Sequence, residues 1–520
     1  MVEVSTDDIT DKDSRFLLIL LFIPCLFIRL KFNSDTYWLI NSGRYVIAHG
    51  IPHIEPFTFH QGLHFVMQQW LSATVFALIY NSLGSPFLFV LVAIVNCSII
   101  YSIFRLCLCI SEGNFLVSFT IAFAISIPLS LFMVLRPYLF SVFLFSIELN
   151  LLEAWLQTEL NRGRGNPTPE MAENKIFAFT NSCCRSFFKK NSILWGLPIL
   201  SVLLVNLHAA LWPFFFVLLL PYFIDSFRFN LWGVKGQGYP CLPLCIAAAL
   251  SLIAGWLNPY GLESMTYLFH SYGSDYMSTA STEMQSPDFK NAFGIFVFII
   301  YISVAMLFSV NCKNKTRLRY VLLIIGTGYL GLSSIRNTNL FLVCGIPFLA
   351  YTLREVQITI TPRTQPGFPW LRHVLLSILV VFLGAFFMLS AGSSEQKTEI
   401  FLPVKALDYI KNNLNTENIR LYTGYETGGY AEFQGLRPFI DARAEVFFKS
   451  NNQKSDIIGD YFDARLGKAH YRKLIDKYNL THFLVGKTDI LFVYLPKDPD
   501  FEMLFSDEDF RVFALKTVTN

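Results

Sequence analysis

Residues 86–108 read PFLFVLVAIVNCSIIYSIFRLCL and contain a single charged residue, Arg105. An α-helix needs about 20 consecutive apolar residues to cross a bilayer core of about 30 Å. This stretch meets that length, and it is too apolar to form a helix with a water-facing side. We therefore predict a membrane span here, and this stretch decides the fold class.

Apolar segments of the same kind recur along residues 1–391. They run roughly over 16–32, 65–83, 115–133, 137–157, 193–207, 209–227, 241–258, 292–311, 319–335, 338–353 and 373–391. The chain is 53% hydrophobic and only 15% charged, whereas soluble domains average about 25% charged residues. The sequence thus predicts a polytopic α-helical membrane protein of about 11–13 spans, followed by a separate domain over 392–520.

Charge and cysteine content exclude some other classes. The net charge is only +3, whereas a nucleic-acid partner requires a concentrated basic face. The ten cysteines lie within or beside apolar segments, and their spacing matches neither a disulfide framework nor a zinc site. We predict no nucleic-acid partner, no metal and no cofactor.

The distribution of basic residues predicts the topology. Basic stretches lie at 162–190, 228–235, 313–319 and 354–372, and the positive-inside rule places them in the cytoplasm. With a cytoplasmic N-terminus and an uncleaved first span, either one early segment fails to cross or the chain contains a further, undetected span. Segment 65–83 begins FVMQQW, a composition suited to an interfacial helix. The loop 33–64 and the C-terminal domain are therefore predicted to be extracytoplasmic, and the protein to lie in the inner (cytoplasmic) membrane.

Helix-like and strand-like patterns alternate in the C-terminal domain. They predict a helix over 402–414, a strand over 419–423, a helix over 466–478 and strands over 482–486 and 511–516. Such alternation favours a small α/β domain with a partly parallel sheet.

Two acidic residues of the loop 33–64 are candidates for catalysis. Asp35 follows the first apolar segment closely, and Glu55 lies twenty residues further on. A carboxylate at the membrane surface can act as a general base on a hydroxyl, although an Asp at this position can also cap a helix that starts at Thr36. Histidines 49, 53, 60 and 64 share the loop, but their spacing matches no common metal-ligand pattern.

Three basic or titratable residues interrupt apolar sequence, where such groups are costly. They are Arg136 in VLRPYLF, His208 in VNLHAALWP and Arg336 in SSIRNTN. Arginine binds phosphate through a bidentate donor pair, so the three are candidates for holding a lipid phosphate. The arginines can alternatively extend their side chains to a membrane interface, and His208 can form a satisfied hydrogen bond at a helix end.

Further candidates come from two polar stretches. The predicted external segment after residue 257 contributes Asn258, Tyr260, Glu283 and Asp288, although NPYG is also a turn signal. In the C-terminal domain, FIDARAEVF places Asp441, Arg443 and Glu445 two residues apart, which on a strand puts all three on one face. This triplet is either a site or an internal ion-pair staple.

The order of these motifs resembles a group of bacterial multi-span membrane proteins that are distant relatives of the GT-C type glycosyltransferases. The motifs are DTYW, GRYVIAHGIP, EPFTF, RPYLF, NLH, LNPYG, SPDF, RNTN, GGY and FIDARAE, from about Asp35 to Asp489. GT-C enzymes of this type use polyprenyl-phosphate sugars as donors. The resemblance implies a GT-C-like membrane domain that transfers a sugar with inversion to an extracytoplasmic glycan, lipid or protein.

The resemblance also implies roles for particular residues. Asp35 matches the acid expected in the first external loop, whereas the second acid often found beside it is replaced by Thr36, and Glu55 lies well away. Arg136, His208 and Arg336 would contact the donor phosphate. Two alternatives remain open: a transporter or flippase of a lipid-linked glycan, and a non-catalytic envelope assembly factor.

Overall fold

A computed structural model of the protein describes residues 11–27, 32, 34–162, 192–231, 234–271, 282–310, 316–354 and 402–516. The predicted span 373–391, the predicted domain boundary at 391/392 and most of the predicted cytoplasmic stretches 162–190 and 354–372 lie outside the described residues.

The described part of the N-terminal region is mainly helical. Its helices are α1 (Asp11–Leu21), α2 (Ser34–His49), α3 (Trp70–Leu83), α4 (Ser85–Ile110), α5 (Phe115–Phe132), α6 (Tyr138–Arg162), α7 (Gly196–Leu207), α8 (Trp212–Asp225), α9 (Leu242–Ala254), α10 (Leu262–Met265), α11 (Tyr267–Ser271), α12 (Ala292–Val310), α13 (Leu318–Ser333), α14 (Thr338–Cys344) and α15 (Leu349–Leu353). Short strands β1 (Asn230–Leu231), β2 (Val234–Lys235) and β3 (Thr316–Arg317) form a small sheet, with β1 antiparallel and β3 parallel to β2.

The predicted apolar segments correspond to helices. Among the described residues, two stretches are both long and apolar enough to cross a membrane, Ser85–Ile110 and Tyr138–Leu160, and shorter apolar helices of 10–17 residues accompany them. The helical prediction is therefore confirmed for most segments, whereas the number of spans stays a prediction.

Helix α3 covers only part of the predicted segment 65–83. It starts at Trp70 and has 14 residues, which extend about 21 Å at 1.5 Å per residue, less than a bilayer core. It packs closely on α2, which the sequence prediction left within an external loop. The close packing requires Gly43, because a Cβ there would lie 2.0 Å from the carbonyl oxygen of Ala73.

The predicted continuous segment 338–353 is broken, which corrects that prediction. Helix α14 ends at Cys344, a 3-10 turn covers Ile346–Phe348, and α15 follows. The break falls at Gly345 and Pro347 because proline supplies no backbone N–H for a continuous helix.

A buried ion cluster joins three helices at a distance from α2. Arg319 of α13 contacts Glu153 of α6 (Nε–Oε1 2.9 Å) and Asp225 of α8 (Nη1–Oδ2 2.7 Å). Both carboxylates are fully buried, and removing one partner of such a pair leaves an uncompensated charge. Along α6, Glu153 is about 22 Å from Tyr138, so this cluster fixes one end of α6 and leaves the other to the site described below.

The C-terminal domain is an α/β sheet structure. Its helices are α16 (Val404–Asn413), α17 (Tyr425–Phe433), α18 (Lys449–Asn452), α19 (Ile457–Arg465), α20 (Arg472–Tyr478) and α21 (Leu491–Tyr494), and its strands are β4 (Leu421–Tyr422), β5 (His482–Gly486), β6 (Phe501–Ser506) and β7 (Phe510–Leu515). The sheet order is β4-β5-β7-β6, with β4 parallel to β5 and the other pairs antiparallel. The predicted strands and the partly parallel sheet are confirmed.

Two features of this domain differ from the sequence prediction. Strand β6 was not predicted, since its pattern carries exposed Glu502 and Met503. The helix predicted over 466–478 starts only at Arg472, because Gly467 adopts a positive φ of 73°, which ends regular helix after α19.

Candidate functional site

Asp35 lies in the first turn of α2 and forms an ion pair with Arg136, which lies between α5 and α6. Arg136 Nε is 2.7 Å from Asp35 Oδ2, although the N–H direction does not meet hydrogen-bond geometry. Trp38, one turn along α2, donates from its indole Nε1 to Asp35 Oδ1 at 3.2 Å. Both oxygens of Asp35 are therefore oriented, and about a fifth of each ion-pair side chain remains accessible to solvent.

Arg136 also contacts a second carboxylate, Glu283. Its Nη1 donates to Glu283 Oε2 at 2.5 Å. Burial alone would lower the pKa of Arg136, but the charges of Asp35 and Glu283 outweigh it and raise that pKa. Burial would likewise raise the pKa of Glu283, but the charges of Arg136 and Arg336 hold it below its ordinary value.

Arg336 lies on a 3-10 turn, Ile335–Asn337, beside the same group. Its guanidinium carbon is 5.4 Å from the centre of the Tyr138 ring, and the Tyr138 hydroxyl donates to the Arg336 carbonyl at 3.1 Å. Among the described residues, the Arg336 guanidinium forms no ion pair within 4 Å and no hydrogen bond. It is thus a half-buried cation held by an aromatic face and available to an anion.

His208 lies on the other side of Tyr138. The two rings are 6.4 Å apart, and His208 Nδ1 is hydrogen-bonded with Ser141 Oγ at 2.8 Å. Its backbone N–H continues α7 by donating to the Leu204 carbonyl. Tyr138 therefore connects two of the sequence candidates, Arg336 and His208, and sequence reasoning did not single it out although it follows Arg136 in RPYLF.

We call Asp35, Arg136, Tyr138, Glu283 and Arg336 the Asp35 cluster. A pair of hydrogen bonds fixes the segment that carries Glu283 to the turn that carries Arg336: Ser334 Oγ donates to the Glu283 carbonyl at 2.8 Å, and the Ile335 N–H donates to the Gln285 carbonyl at 2.9 Å. Residues from four separate parts of the chain thus meet at one end of α6.

The C-terminal domain reaches the cluster through α17. Ser34, directly before Asp35, donates from its hydroxyl to Glu426 Oε2 at 3.0 Å. Glu426 was missed by sequence reasoning. The only signal was the neighbouring pair Gly428 and Gly429, which indicates a close approach.

A second, fully buried ion cluster joins the two parts of the chain. Arg443 Nη2 donates to Glu55 Oε1 at 3.0 Å and to Glu432 Oε1 at 2.8 Å, and also contacts Asp441. Glu55 accepts further hydrogen bonds from the N–H groups of Phe57 and Thr58 at 2.9 and 3.0 Å. None of these carboxylates is accessible to solvent.

Asp441, Arg443 and Glu445 do not lie on a strand, which corrects that prediction. The Asp441 carboxylate accepts a hydrogen bond from the Arg443 N–H at 2.7 Å, a turn of the kind that Asp favours, and Ala444–Phe447 form a 3-10 helix. Within the described residues Glu445 forms no ion pair with Arg443, and burial raises the pKa of Glu445 although the charge of Arg443 opposes this.

The remaining sequence candidates lie in turns. Asn258 holds the NPYG turn by accepting from the Tyr260 N–H at 2.8 Å, and the Tyr260 hydroxyl donates to the Pro52 carbonyl at 2.7 Å. Asp288 is exposed and accepts from the Lys290 N–H. His60 is hydrogen-bonded to the Phe439 carbonyl at 2.8 Å. Within the residues that the structure describes, no three His, Cys, Asp or Glu side chains are grouped as metal ligands.

Solved structures of membrane glycosyltransferases share this fold. The Archaeoglobus fulgidus oligosaccharyltransferase, tethered to an acceptor peptide with the NVT sequon, superposes with a TM-score of 0.53 and 12% identity over 92% of this chain and 69% of that chain. The AglB oligosaccharyltransferase of the same organism, in complex with an inhibitory peptide and a dolichol-phosphate, gives 0.52 and 13% over 92% and 70%. ArnT from Cupriavidus metallidurans, bound to undecaprenyl phosphate, gives 0.51 and 10% over 96% of both chains.

These similarities show the fold: the chain has a GT-C-like fold with a C-terminal sheet domain. The resemblance predicted from the motif order is thereby confirmed at the level of the fold. No protein-family model matches the sequence, and a search of curated proteins finds no match.

Proposed function

We propose that this protein is a membrane glycosyltransferase that moves a sugar from a polyprenyl-phosphate donor to an extracytoplasmic acceptor. The observation that carries the proposal is the Asp35 cluster itself: an oriented carboxylate, Asp35, and an available guanidinium, Arg336, meet at a solvent-accessible point of a GT-C-like fold. The first group suits an acceptor hydroxyl, and the second suits a lipid phosphate.

On the donor side, Arg336 binds the phosphate. Its guanidinium is held over Tyr138, and a planar donor pair fits two phosphate oxygens. Arg136 and His208 lie close to this position as further hydrogen-bond donors, with the charge of Arg136 already shared between Asp35 and Glu283. When the bond between the sugar and the phosphate breaks, the negative charge that builds up on the leaving oxygen is stabilised by these groups. Because the phosphate leaves as an anion, the reaction requires no metal.

On the acceptor side, Asp35 accepts a hydrogen bond from the attacking hydroxyl and increases its nucleophilicity. Arg136 and Trp38 hold the carboxylate in one orientation, which keeps the attacking group aligned with the donor. Attack from the side opposite the leaving phosphate inverts the anomeric carbon.

The buried residues receive structural roles in this proposal. Glu55 and Asp441 are shielded from solvent and both pair with Arg443, so these residues fix the first external loop to the C-terminal domain. Asn258 and Tyr260 hold the turn that carries the next external segment. Glu283 positions Arg136.

We further propose that the chain crosses the inner membrane about 11–13 times, with a cytoplasmic N-terminus and an extracytoplasmic C-terminal domain. The Asp35 cluster then faces the outer leaflet, where a polyprenyl-phosphate sugar and an envelope glycan, lipid or protein can both reach it.

The experiment uses the full chain in proteoliposomes with a panel of radiolabelled polyprenyl-phosphate hexoses and an envelope extract as acceptor. A glycosyltransferase releases free polyprenyl phosphate and transfers the labelled sugar to an acceptor in the extract. A transporter or flippase instead moves the intact labelled lipid between leaflets. Leaflet movement with every sugar-phosphate bond intact would contradict the proposal, and a protein with Asp288→Asn serves as the control for an exposed carboxylate.

A further inference from the structure

Glu426 of the C-terminal domain lies beside Asp35 although the two are far apart in the sequence. The contact is made through Ser34, the residue before Asp35, whose hydroxyl donates to Glu426 Oε2 at 3.0 Å. This hydrogen bond links residues separated by 392 positions. It therefore places a carboxylate of the C-terminal domain at the start of α2.

The sequence around Glu426 is built for this approach. A Cβ on Gly429 would lie 3.1 Å from the Ser34 carbonyl oxygen, and one on Gly428 would lie 1.9 Å from the Ile440 carbonyl oxygen. Both glycines let α17 sit closely between α2 and the segment at Ile440. Tyr37 of α2 packs on Tyr430 of α17, with ring centres 4.8 Å apart, and this contact holds α17 against the first turn of α2.

Glu426 is exposed to solvent and yet surrounded by protein. The Glu426 side chain is exposed to solvent, whereas burial of its carboxylate by the surrounding atoms raises its pKa. The Glu426 side chain is therefore reached by water and at the same time packed against surrounding protein atoms. The charges that face it are those of Asp35, which also raises the pKa, and of Arg136 and Arg465, which oppose the rise.

The two carboxylates differ in their partners. Asp35 pairs with Arg136 at 2.7 Å and shares it with Glu283. Within the described residues, Glu426 has no cation within 4 Å of its oxygens, and its one hydrogen bond is from the neutral Ser34. Burial and the nearby charge of Asp35 raise the pKa of Glu426, so Glu426 is the better proton acceptor at this position.

We infer that Glu426 is a second catalytic carboxylate that contacts the acceptor hydroxyl beside Asp35 and receives its proton. This inference rests on the proposed function. The hydroxyl oxygen forms a bond to the anomeric carbon of the donor sugar, and its O–H bond breaks. The bond between the anomeric carbon and the phosphate oxygen breaks at the same time, and its electron pair leaves with polyprenyl phosphate.

The arrangement also selects the class of acceptor. A phosphate or carboxylate oxygen is already anionic, brings no proton and is repelled by two neighbouring carboxylates. A neutral alcohol supplies the proton and donates a hydrogen bond to either carboxylate. The acceptor group is therefore an alcohol hydroxyl.

The test compares Glu426→Gln with Glu417→Gln, an exposed carboxylate of the same domain, in the purified full chain. Two quantities are measured: release of polyprenyl phosphate from the labelled donor in the presence of envelope extract, and binding of undecaprenyl phosphate alone. We expect Glu426→Gln to slow release about 100-fold and to leave undecaprenyl phosphate binding at the level of Glu417→Gln. Glu426→Asp restores part of the rate.

Two further readouts separate a catalytic from a structural role. The rate of the wild-type protein falls as the pH drops through the raised pKa of Glu426, and Glu426→Gln lacks this part of the pH profile. Asp35→Asn combined with Glu426→Gln loses no more activity than the more impaired single variant, because the two groups act as a unit. The inference is overturned if Glu426→Gln transfers sugar at the full rate of an active wild-type protein. It is also overturned if Glu426→Gln loses undecaprenyl phosphate binding together with the rate. A wild-type protein that transfers no sugar overturns the proposed function as well.

Discussion

Arg136 Nε lies 2.7 Å from Asp35 Oδ2, while Nη1 of the same guanidinium donates to Glu283 Oε2 at 2.5 Å. One arginine therefore connects the start of α2 to the segment before α12, and its charge is shared between two carboxylates. Arg336, a neighbour in the same cluster, has no such ion pair among the described residues. The two arginines that looked equivalent in the sequence thus have different roles: Arg136 positions Asp35, and Arg336 is available to a ligand.

The first prediction concerns Arg336. Arg336→Ala is expected to weaken binding of undecaprenyl phosphate by about 10- to 100-fold, because a hydrogen bond between charged groups contributes about 1.5–3 kcal/mol. Stability changes little, since the guanidinium forms no ion pair with described residues. The measurement is binding to the purified chain, with the exposed Arg437→Ala as the matched control. Equal affinity of the two variants would place the phosphate elsewhere.

The second prediction concerns the close approach of α17. Gly428→Ala introduces a Cβ that would lie 1.9 Å from a backbone oxygen, that of Ile440, and backbone atoms cannot move aside cheaply. We expect a loss of about 1–3 kcal/mol in the free energy of unfolding, together with reduced transfer because Glu426 is displaced. The control is Gly326→Ala, where a Cβ meets no atom within 4 Å. A Gly428→Ala protein as stable as the control would show that α17 does not pack as described.

The third prediction concerns the buried Arg443 cluster, in which one guanidinium faces several carboxylates. Burial raises the pKa of Glu432 well above its ordinary 4.5, and the charge of Asp441 adds to this. Burial would raise the pKa of Asp441 too, but the charge of Arg443 lowers it below 3.8. These directions favour the proton on Glu432 and the negative charge on Asp441.

The sign of the pH dependence follows from these directions. The stability that Glu432 contributes is complete below pH 4.5 and is lost as the pH rises through the raised pKa of Glu432. The stability that Asp441 contributes is present above pH 3.8 and is lost as the pH falls through the lowered pKa of Asp441. Glu432→Gln mimics the protonated acid and should change the free energy of unfolding by less than about 1 kcal/mol. The variant should also remove the loss of stability that occurs as the pH rises. The measurement is thermal unfolding of both proteins across pH. An unchanged pH dependence would show that Glu432 is ionised.

Much of the fold was accessible from the sequence because its signals are local. Long apolar runs predict helices wherever they lie, and the strands 482–486 and 511–516 follow from short apolar patterns bounded by turns. Gly345 and Pro347 are themselves a sequence signal for the break in segment 338–353, which the continuous apolar pattern concealed. Helix α2 was not predicted, because its sequence mixes apolar with polar residues and contains no long apolar run.

The candidate site was predictable only in part. Asp35, Arg136 and Arg336 stood out because charged residues are rare beside apolar segments, and the structure brings them together. The contacts of Ser34 with Glu426 and of Glu55 with Arg443 join residues 392 and 388 positions apart. No local pattern encodes such pairings, since they depend on how the C-terminal domain packs on α2.

The comparison that tests the account most directly is between sugar transfer and phosphate binding in Asp35→Asn. The substitution keeps the size of the side chain and removes the negative charge that activates the acceptor. We expect binding of undecaprenyl phosphate to persist and transfer from the polyprenyl-phosphate sugar to fall by about 100-fold or more, relative to the Asp288→Asn control. A folded Asp35→Asn protein that transfers sugar as fast as the control would contradict the assignment of Asp35 to the reaction centre.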